Sequence, residues 1–360
     1  MNTRKGSLLA FIVGNQRMIT LLKHGEPRDR LQRPLRDLRI SVMDRCNFRC
    51  PYCMPQSVFH DGYRFLGSKE RLSFDEILRI TRVAAGLGLR KIRITGGEPL
   101  LRPNLAELIG DLGAIEGIED IALTTNGILL AKYATELKAA GLSRITVSLD
   151  SLDPAVFAAM SGGYDGVAQV LEGIEAARAA GLTPIKINTV VQRGINEHTV
   201  LDLIEHFRGT GVIVRLIEFM DVGNRNQWQE SLVVPSAELA AQIHARWPLA
   251  QLPSNYSGEV AERRAFADGA GEIGFISSVS QPFCGSCSRA RLASDGKLYT
   301  CLFATVGTDL RTPLREGASD EELASLLGSI WGNRRDRYSE QRAELRSRAE
   351  HKVEMFHVGG

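Results

Sequence analysis

The sequence lacks several features that mark whole classes of protein. Among its 360 residues, no apolar run approaches the ~18 residues that a membrane-spanning helix needs. The N-terminal "SLLAFIVG" has too short an apolar run for a secretory signal, and no small-residue cleavage site follows soon after. A net charge of only +2 gives no basic coat for nucleic acid. We therefore expect a cytoplasmic protein that binds neither a membrane nor nucleic acid.

Cysteine is also scarce, and its distribution is informative. The six cysteines fall into two groups of three, and disulfide pairing within a group would leave one thiol over each time. In a reducing compartment, clustered thiols are more often metal ligands than bridges. The sequence therefore predicts two metal centres, each with three thiolate ligands: Cys46, Cys50 and Cys53, and Cys284, Cys287 and Cys301.

From residue 37 onward, short β-branched runs alternate with helical stretches, and this pattern predicts βα units and a parallel sheet. The clearest predicted helix, 74–87, starts with a capping box formed by Ser73 and Glu76. Six such units predict an α/β fold, a partial (β/α)6 TIM-type barrel with a C-terminal extension. The predicted strands are "LRISV" (38–42), "KIRIT" (91–95), "DIALT" (120–124), "ITVSLD" (145–150), "IKINTVV" (185–191) and "VIVRLIEF" (212–219).

The chain divides, on this interpretation, into three regions. Residues 1–33 form a charged N-terminal extension. Either this extension is genuine, or the true start of the protein is Met18. Residues 34–225 form the barrel. Residues 226–360 form a C-terminal region that carries the second cysteine group, where strand and helix no longer alternate clearly, and the tail "RRDRYSEQRAELRSRAEHK" is predicted to be a solvated helix.

The phase of the strands predicts a polar barrel interior. Leu38 and Ile40 alternate with Arg39, and the same alternation recurs in the next four strands. Because helices cover the outside of a barrel, the apolar set should face out and the polar set should line the lumen. A closed barrel fills its interior with bulky branched side chains, so a cationic lumen predicts an open barrel that holds an anionic ligand. The predicted lumen cations are Arg39, Arg93, Lys186 and, less securely, Arg215.

The first cysteine motif, "CNFRCPYC", has the spacing C-x3-C-x2-C. A closed zinc site needs four ligands, and His60 could supply the fourth. The alternative is an iron–sulfur cluster with one iron left open to a small molecule. Tyr52 precedes the last cysteine, and the whole motif follows a predicted strand. In its spacing and in its position the motif resembles that of radical S-adenosylmethionine (SAM) enzymes.

A second motif, "TGGEP" (95–99), supports that resemblance. Two adjacent glycines let backbone approach a ligand closely, and their free polar groups can pair with an amino acid. The resemblance implies that these glycines and Glu98 hold the SAM amine. It further implies a SAM site that includes Tyr52, Gly97, Ser148 and Met220.

The second group has the spacing C-x2-C-x13-C and again lacks one ligand, which His351 or His357 could supply if the metal were zinc. The stretch "CGSCSRARLASDGKLYTCL" resembles the auxiliary cluster site of the GTP 3′,8-cyclase family of radical SAM enzymes, which act in molybdenum cofactor biosynthesis. "LTTNG", "RLIEFMDVG" and the terminal Gly-Gly extend the resemblance from about Arg33 to Gly360.

The resemblance implies two [4Fe-4S] clusters, SAM as cofactor and GTP as substrate. It implies that Arg289, Arg291, Gly359 and Gly360 take part in catalysis. The implied GTP-binding residues are Arg39, Arg93, Thr124, Lys186, Arg289, Ala290 and Arg291.

The implied reaction begins when the reduced first cluster cleaves SAM to a 5′-deoxyadenosyl radical, which removes the 3′ hydrogen of GTP before ring closure at C8. The implied partners are a second copy of the chain in a homodimer, a flavodoxin- or ferredoxin-type electron donor, and cyclic pyranopterin monophosphate synthase, which receives the product. Two alternatives remain at this point: a radical SAM enzyme that acts on a peptide, and a nonenzymatic zinc-binding interaction module.

Overall fold

The computed structural model describes residues 26–346 and 352–359. Within them, twelve strands form one sheet in the order β12-β11-β10-β1-β2-β3-β4-β5-β6-β9-β8-β7. The strands are β1 (Asp37–Ser41), β2 (Lys91–Thr95), β3 (Asp120–Thr125), β4 (Arg144–Ser148), β5 (Ile185–Val191), β6 (Ile213–Glu218), β7 (Leu249–Leu252), β8 (Glu262–Phe266), β9 (Glu272–Ile276), β10 (Arg289–Leu292), β11 (Lys297–Tyr299) and β12 (Thr308–Asp309).

Helices connect the first six strands and continue through the C-terminal part of the chain. The helices are α1 (Phe74–Gly86), α2 (Leu105–Gly113), α3 (Leu130–Ala139), α4 (Pro154–Ser161), α5 (Val167–Ala179), α6 (Val200–Phe207), α7 (Ser236–Arg246), α8 (Arg311–Arg315), α9 (Asp320–Gly332), α10 (Arg342–Leu345) and α11 (Met355–Val358). The predicted strands β2 and β5 are confirmed residue for residue, and the other four differ by one or two residues at their ends.

Strands β1 to β6 are parallel and neighbour one another in chain order, which confirms the predicted partial (β/α)6 barrel. The predicted capping box at the start of α1 is also present. The Glu76 N–H donates to Ser73 Oγ at 3.1 Å, and the Ser73 N–H donates to a Glu76 carboxylate oxygen at 2.7 Å. This box satisfies two backbone donors that a helix start leaves open.

The predicted strand phase is confirmed. Leu38 and Ile40 of β1 are at most 2% exposed and pack in the same core as Ile77 and Ile80 of α1. Arg39, between the two β1 residues, faces the opposite side and lines a cavity. Helices therefore bury the apolar face of the sheet, and the polar face is free to contact a ligand.

The C-terminal region contributes more to the barrel than its sequence pattern indicates. Strand β9 pairs in parallel with β6, and β10 pairs in parallel with β1, so both edges of the six-stranded barrel are extended. The sheet thus runs across the predicted boundary at 225/226, and the division into 34–225 and 226–360 stays a prediction. The extra strands are short and arrive after irregular stretches, which is why alternation alone did not reveal them.

The charged C-terminal tail is not the solvated helix that its composition indicates. Within its described residues only α10 is helical. Arg334 and Arg342 are 4% and 8% exposed, and they pair with Asp29 and Asp221 respectively. Charged residues are buried when they are paired, and these partners lie far away in sequence. In the predicted extension, residues 1–25 lie outside the described residues, whereas Asp29 and Arg33 are buried.

Candidate active site

A single cavity on the polar face of the barrel brings both cysteine groups together with the lumen cations. Ala290 and Gly359 do not line it, and Gly360 lies outside the described residues. The predicted site residues that line it are Arg39, Cys46, Cys50, Tyr52, Cys53, Arg93, Gly97, Thr124, Ser148, Lys186, Met220, Cys284, Cys287, Arg289, Arg291 and Cys301. These residues lie on six strands, β1 to β5 and β10, and on the loops that follow β1, β2, β6, β9 and β11, so only the tertiary structure places them side by side.

The first cysteine loop leaves β1 at the carboxyl end of the strand. The N–H groups of Cys53 and Met54 both donate to the Cys50 carbonyl, at 3.0 and 2.8 Å, and form a tight turn between two of the cysteines. All six cysteines of the chain are free and partly buried. Burial raises the pKa of the Cys46 thiol to about 12, so these sulfurs need a cation to hold them as thiolates.

The motif "TGGEP" contacts this loop, and the Gly97 N–H, which was expected to be open to a ligand, has a protein partner. The Gly97 N–H donates to the Met43 carbonyl at 2.6 Å, and the Glu98 N–H donates to the Arg45 carbonyl at 2.7 Å. A Cβ on Gly97 would lie 2.2 Å from the Arg45 oxygen. Glycine is therefore required because β2's end and the cysteine loop touch backbone to backbone.

Glu98 likewise has protein partners. Its carboxylate accepts from Leu100 N at 3.0 Å, Thr125 Oγ1 at 2.7 Å and Asn126 N at 2.8 Å. Burial raises the pKa of Glu98 to about 7, and the hydrogen bonds from Asn126, Thr125 and Leu100 oppose that rise. Glu98 ties the ends of β2 and β3 together, so most of its acceptor capacity is used before any ligand binds.

The other predicted SAM residues line the same cavity as the first cysteine loop. Tyr52 donates its hydroxyl to Asp150 at 2.8 Å, and Asp150 also accepts from Val190 N at 2.8 Å. Burial raises the pKa of Asp150 to about 6, opposed by the bond from Tyr52. Ser148 ends β4, and Met220 lies two residues after β6. Sequence reasoning missed Asp150 as a partner of Tyr52, although its strand phase matches that of Ser148.

Strand register lines up the cations of the lumen. Arg39 of β1 lies opposite Arg93 of β2 on one side and Arg291 of β10 on the other. Thr146 is paired in register with Thr124 and with Lys186. Because paired residues on neighbouring strands share a face, register alone sets these side chains beside one another.

Hydrogen bonds connect this row further. Arg93 donates to the hydroxyls of Thr124 and Thr146, each at 3.2 Å, and Arg215 donates to Thr146 at 3.3 Å. Arg215, predicted less securely, is thus part of the lumen. Arg289 and Arg291 lie on strand β10. Between them, Ala290 points to the opposite face and packs in the hydrophobic core.

The lumen is electrostatically unfavourable without an anion. Burial, together with the neighbouring charges of Arg215, Arg144 and Arg93, lowers the pKa of Lys186 to about 8. Burial lowers the pKa of Arg215 to about 9 and that of Arg291 to about 10 in the same way. Several buried polar atoms along the cavity have no hydrogen-bond partner: Asp37 Oδ1, Arg39 Nε, Thr95 Oγ1, Asn188 Oδ1 and Arg215 Nε. A polyanion with hydroxyl groups fits both observations.

The second cysteine group lies beside β10. Cys284 begins a short turn, and Cys287 precedes Arg289 by two residues. Burial would raise the pKa of Cys287, but Arg289 and Arg334 lower it to about 7. Burial raises the pKa of Cys301 to about 12. Each cysteine of this group lines the same cavity as the first group.

The C-terminal tail reaches both halves of the site. The Phe356 N–H donates to the Cys53 sulfur, and the Phe356 ring packs edge-on against Phe59 at 4.8 Å. Arg291 donates to the Gly359 carbonyl. A Cβ on Gly359 would lie 1.9 Å from Thr95 Oγ1, and its φ of +68° is left-handed. Gly359 therefore occupies a position in the docked tail where any residue with a Cβ would force the surrounding structure to shift.

Comparison with known proteins identifies the family. The radical SAM superfamily profile matches residues 40–207, and the Molybdenum Cofactor Synthesis C profile matches residues 212–340. The chain is 57% identical over 343 residues to a GTP 3′,8-cyclase of Xanthomonas campestris pv. campestris (strain B100), which covers 95% of this chain and 100% of the relative. The chain belongs to the GTP 3′,8-cyclase family.

The similarity to this family extends to more distant organisms. The GTP 3′,8-cyclase of Acidothermus cellulolyticus is 48% identical over 357 residues, covering 92% of this chain and 99% of the relative. Among solved structures, "Native anSMEcpe with bound AdoMet" has a TM-score of 0.51 at 16% identity and covers 75% of each chain. At that identity the structural likeness shows the radical SAM fold alone.

Membership of the radical SAM family implies a [4Fe-4S] cluster and SAM, and the first cysteine loop fits that group. Among the described residues, no three His, Cys, Asp or Glu side chains are grouped closely enough to hold a single metal ion. The three thiols of the first loop are free and line the cavity, and three thiolates leave one iron of a [4Fe-4S] cluster open to SAM. His60 is exposed, His357 pairs with Asp295, and His351 lies outside the described residues.

None of the helices in residues 26–346 and 352–359 combines the length and apolar character that a membrane-spanning helix needs.

Proposed function

We propose that this protein is a GTP 3′,8-cyclase that converts GTP to (8S)-3′,8-cyclo-7,8-dihydroguanosine 5′-triphosphate, the first step of molybdenum cofactor biosynthesis. The observation that carries the proposal is the single cavity shared by both cysteine groups and the lumen cations. The names of relatives that align over nearly the whole chain agree with it.

Cys46, Cys50 and Cys53 would hold the first [4Fe-4S] cluster and leave one iron position for SAM. When bound and reduced, this group would supply the electron that cleaves SAM to the 5′-deoxyadenosyl radical, which would remove the 3′ hydrogen of GTP. Tyr52, Gly97, Ser148 and Met220 surround SAM. The Tyr52–Asp150 hydrogen bond fixes the aromatic ring beside the cysteines, and Met220 offers a soft apolar surface for the adenine.

Cys284, Cys287 and Cys301 would hold a second [4Fe-4S] cluster, whose remaining iron position would be available to the guanine of GTP. Support comes from the position of these cysteines, which line the cavity that the first group lines. Three thiolates again leave one coordination position for a small molecule. Because both groups line one cavity, GTP bound in that cavity would lie between them.

GTP is held along the row of lumen side chains. Arg39, Arg93 and Lys186 supply positive charge for the triphosphate, and guanidinium forks match phosphate oxygens in pairs. Thr124 orients Arg93 through its hydroxyl at 3.2 Å. Arg289 and Arg291 approach from β10. Ala290 contributes through its backbone at most, because its side chain lies in the core.

Arg291 and the tail complete the site. Arg291 donates to the Gly359 carbonyl, so the last residues are held against the end of β2. The docked tail, whose Met355 and Phe356 line the cavity, helps to exclude water from the reacting atoms. Gly359 and Gly360 take part in catalysis, and Arg289 and Arg291 place positive charge beside the guanine. Exclusion of water protects a reactive radical from side reactions.

The remaining assignments follow from the family. The protein acts in the cytoplasm as a homodimer and takes electrons from a flavodoxin- or ferredoxin-type donor. Its product passes to cyclic pyranopterin monophosphate synthase. Residues 34–225 form the catalytic barrel, and 226–360 form the region that binds the second cluster and the substrate.

The test is anaerobic incubation of the purified protein with SAM, reductant and GTP, followed by mass analysis. We expect 5′-deoxyadenosine and a cyclised isomer of GTP in equal amounts. The double variant Arg93→Met/Lys186→Met should lose GTP binding while it retains iron. Deoxyadenosine formation without any GTP product, together with unchanged GTP binding in the double variant, would favour a different substrate such as a peptide.

A further inference from the structure

Two segments from opposite ends of the chain hold the second cysteine loop. Arg33, just before β1, donates to the Cys284 carbonyl at 2.7 Å. Arg334, just after α9, donates to the Cys287 carbonyl at 2.6 Å. The Trp331 indole N–H donates to the Arg33 carbonyl at 2.9 Å and joins the two segments. Both cysteine carbonyls are therefore fixed by buried guanidinium groups.

Arg334 also contacts a sulfur atom. Its second terminal nitrogen lies 3.2 Å from Cys287 Sγ, and its side chain is only 1% exposed. The guanidinium lies 4.6 Å from the centre of the Trp331 ring, which fixes its plane. A structural anchor needs only the bond to the carbonyl, so the bond to sulfur calls for a separate explanation.

The charge around Arg334 is set by few groups. Asp29, whose side chain is fully buried, lies 3.4 Å from Arg334 and 2.5 Å from Arg33. Asp336 lies 3.3 Å from Arg334 and is one-third exposed, so water screens it more. The buried residues Arg33 and Arg334 thus share the buried carboxylate of Asp29, and Arg334 also contacts the Cys287 sulfur.

We propose that Arg334 is a positioning residue for the second cluster: it orients Cys287 and, by donating to its sulfur, makes the cluster easier to reduce. This inference rests on the proposed second cluster. Reduction adds one negative charge to a cluster, and hydrogen bonds or positive charge at its sulfurs stabilise that reduced state. Asp29 opposes the effect, because its negative charge partly compensates that of Arg334.

The experiment uses the full-length chain with Cys46, Cys50 and Cys53 replaced by serine, which retains only the second cysteine group. Iron and acid-labile sulfide are counted, and the cluster is titrated with reductant while its paramagnetic resonance signal is recorded. Arg334→Gln should lower the equilibrium constant for one-electron reduction by about tenfold, which corresponds to about 59 mV. Asp29→Asn should shift the potential in the opposite direction.

Arg335→Gln is the matched control, because Arg335 is the exposed neighbour and its loss changes the net charge equally. It should leave the potential unchanged. The inference is overturned if Arg334→Gln keeps its iron and its potential, or if Arg334→Gln and Asp29→Asn shift the potential the same way, as general loosening of the loop would cause. If Arg334→Gln does not accumulate as folded protein, the sign of the Asp29→Asn shift decides. A serine parent without iron or sulfide overturns the second cluster itself, and this inference with it.

Discussion

Replacing Gly359 with alanine should undock the C-terminal tail without disturbing either cysteine group. The new Cβ would lie 1.9 Å from Thr95 Oγ1, which is closer than two nonbonded atoms can approach, and the φ of residue 359 is +68°, in the left-handed region. Left-handed backbone costs an L-residue about 1–2 kcal/mol. A shift of residue 359 that relieves this clash also breaks its hydrogen bond from Arg291. A hydrogen bond to a charged group contributes about 1.5–3 kcal/mol.

Together these contributions disfavour the docked tail by about 2.5–5 kcal/mol, which is on the order of 10²–10⁴ in the docking equilibrium. Cyclase turnover should fall accordingly, while iron content and SAM binding stay at the level of the unmodified protein. Amide hydrogen exchange in residues 352–359 reports docking directly and should become faster.

Two further variants separate the causes. Gly317→Ala adds the same left-handed strain at φ +90° with no atom within 4 Å of the new Cβ, so turnover should be unaffected. Gly359→Ala/Thr95→Ala removes the clashing oxygen, which leaves Thr95 Cβ at 3.2 Å as the nearest atom, and should recover part of the docking. Unchanged exchange and turnover in Gly359→Ala would refute the docked geometry.

Two other outcomes are expected. Because burial lowers the pKa of Lys186 to about 8, this side chain is neutral above that pH in the ligand-free protein, and GTP affinity should fall by up to about tenfold per pH unit above it. Calorimetry measures this affinity, and Lys186→Arg should move its decline to higher pH. A GTP affinity that is flat from about pH 7 to 9.5 in the unmodified protein would contradict the binding role of Lys186. Gly97→Ala, whose Cβ would lie 2.2 Å from the Arg45 oxygen, should lose about half of the bound iron; Gly110→Ala, with 3.9 Å of space, should retain it. Full iron in Gly97→Ala would show that the cysteine loop tolerates displacement.

The first half of the fold could be predicted because its elements carry local patterns. The alternation in "KIRIT" follows from the two-residue repeat of a strand, and the Ser73–Glu76 box follows from the open backbone donors at a helix start. The lumen position of Arg93 followed from its phase alone. The strands β9 and β10 carried no such pattern, because their pairing with β6 and β1 depends on chain segments that are distant in sequence.

Burial of charge was the least predictable feature. Arg334 and Arg342 lie in a segment whose composition indicates a solvated helix, yet both are buried against Asp29 and Asp221. A sequence shows how many charges a segment has but not which partner each one meets. The partner of the Gly97 N–H was not predictable for a similar reason, since the Met43 carbonyl that accepts from it belongs to another loop.

The sequence by itself determined the chemistry of this protein: two groups of three cysteines, a row of strand arginines and the motifs of one enzyme family are all written in local order. The tertiary structure decided which of these residues share a cavity, because parallel strands place the residues that follow them at one end of the barrel whatever their separation along the chain. It also decided that Arg291 holds Gly359 of the docked tail. These two residues are 68 positions apart, so their contact leaves no pattern in the sequence around either of them.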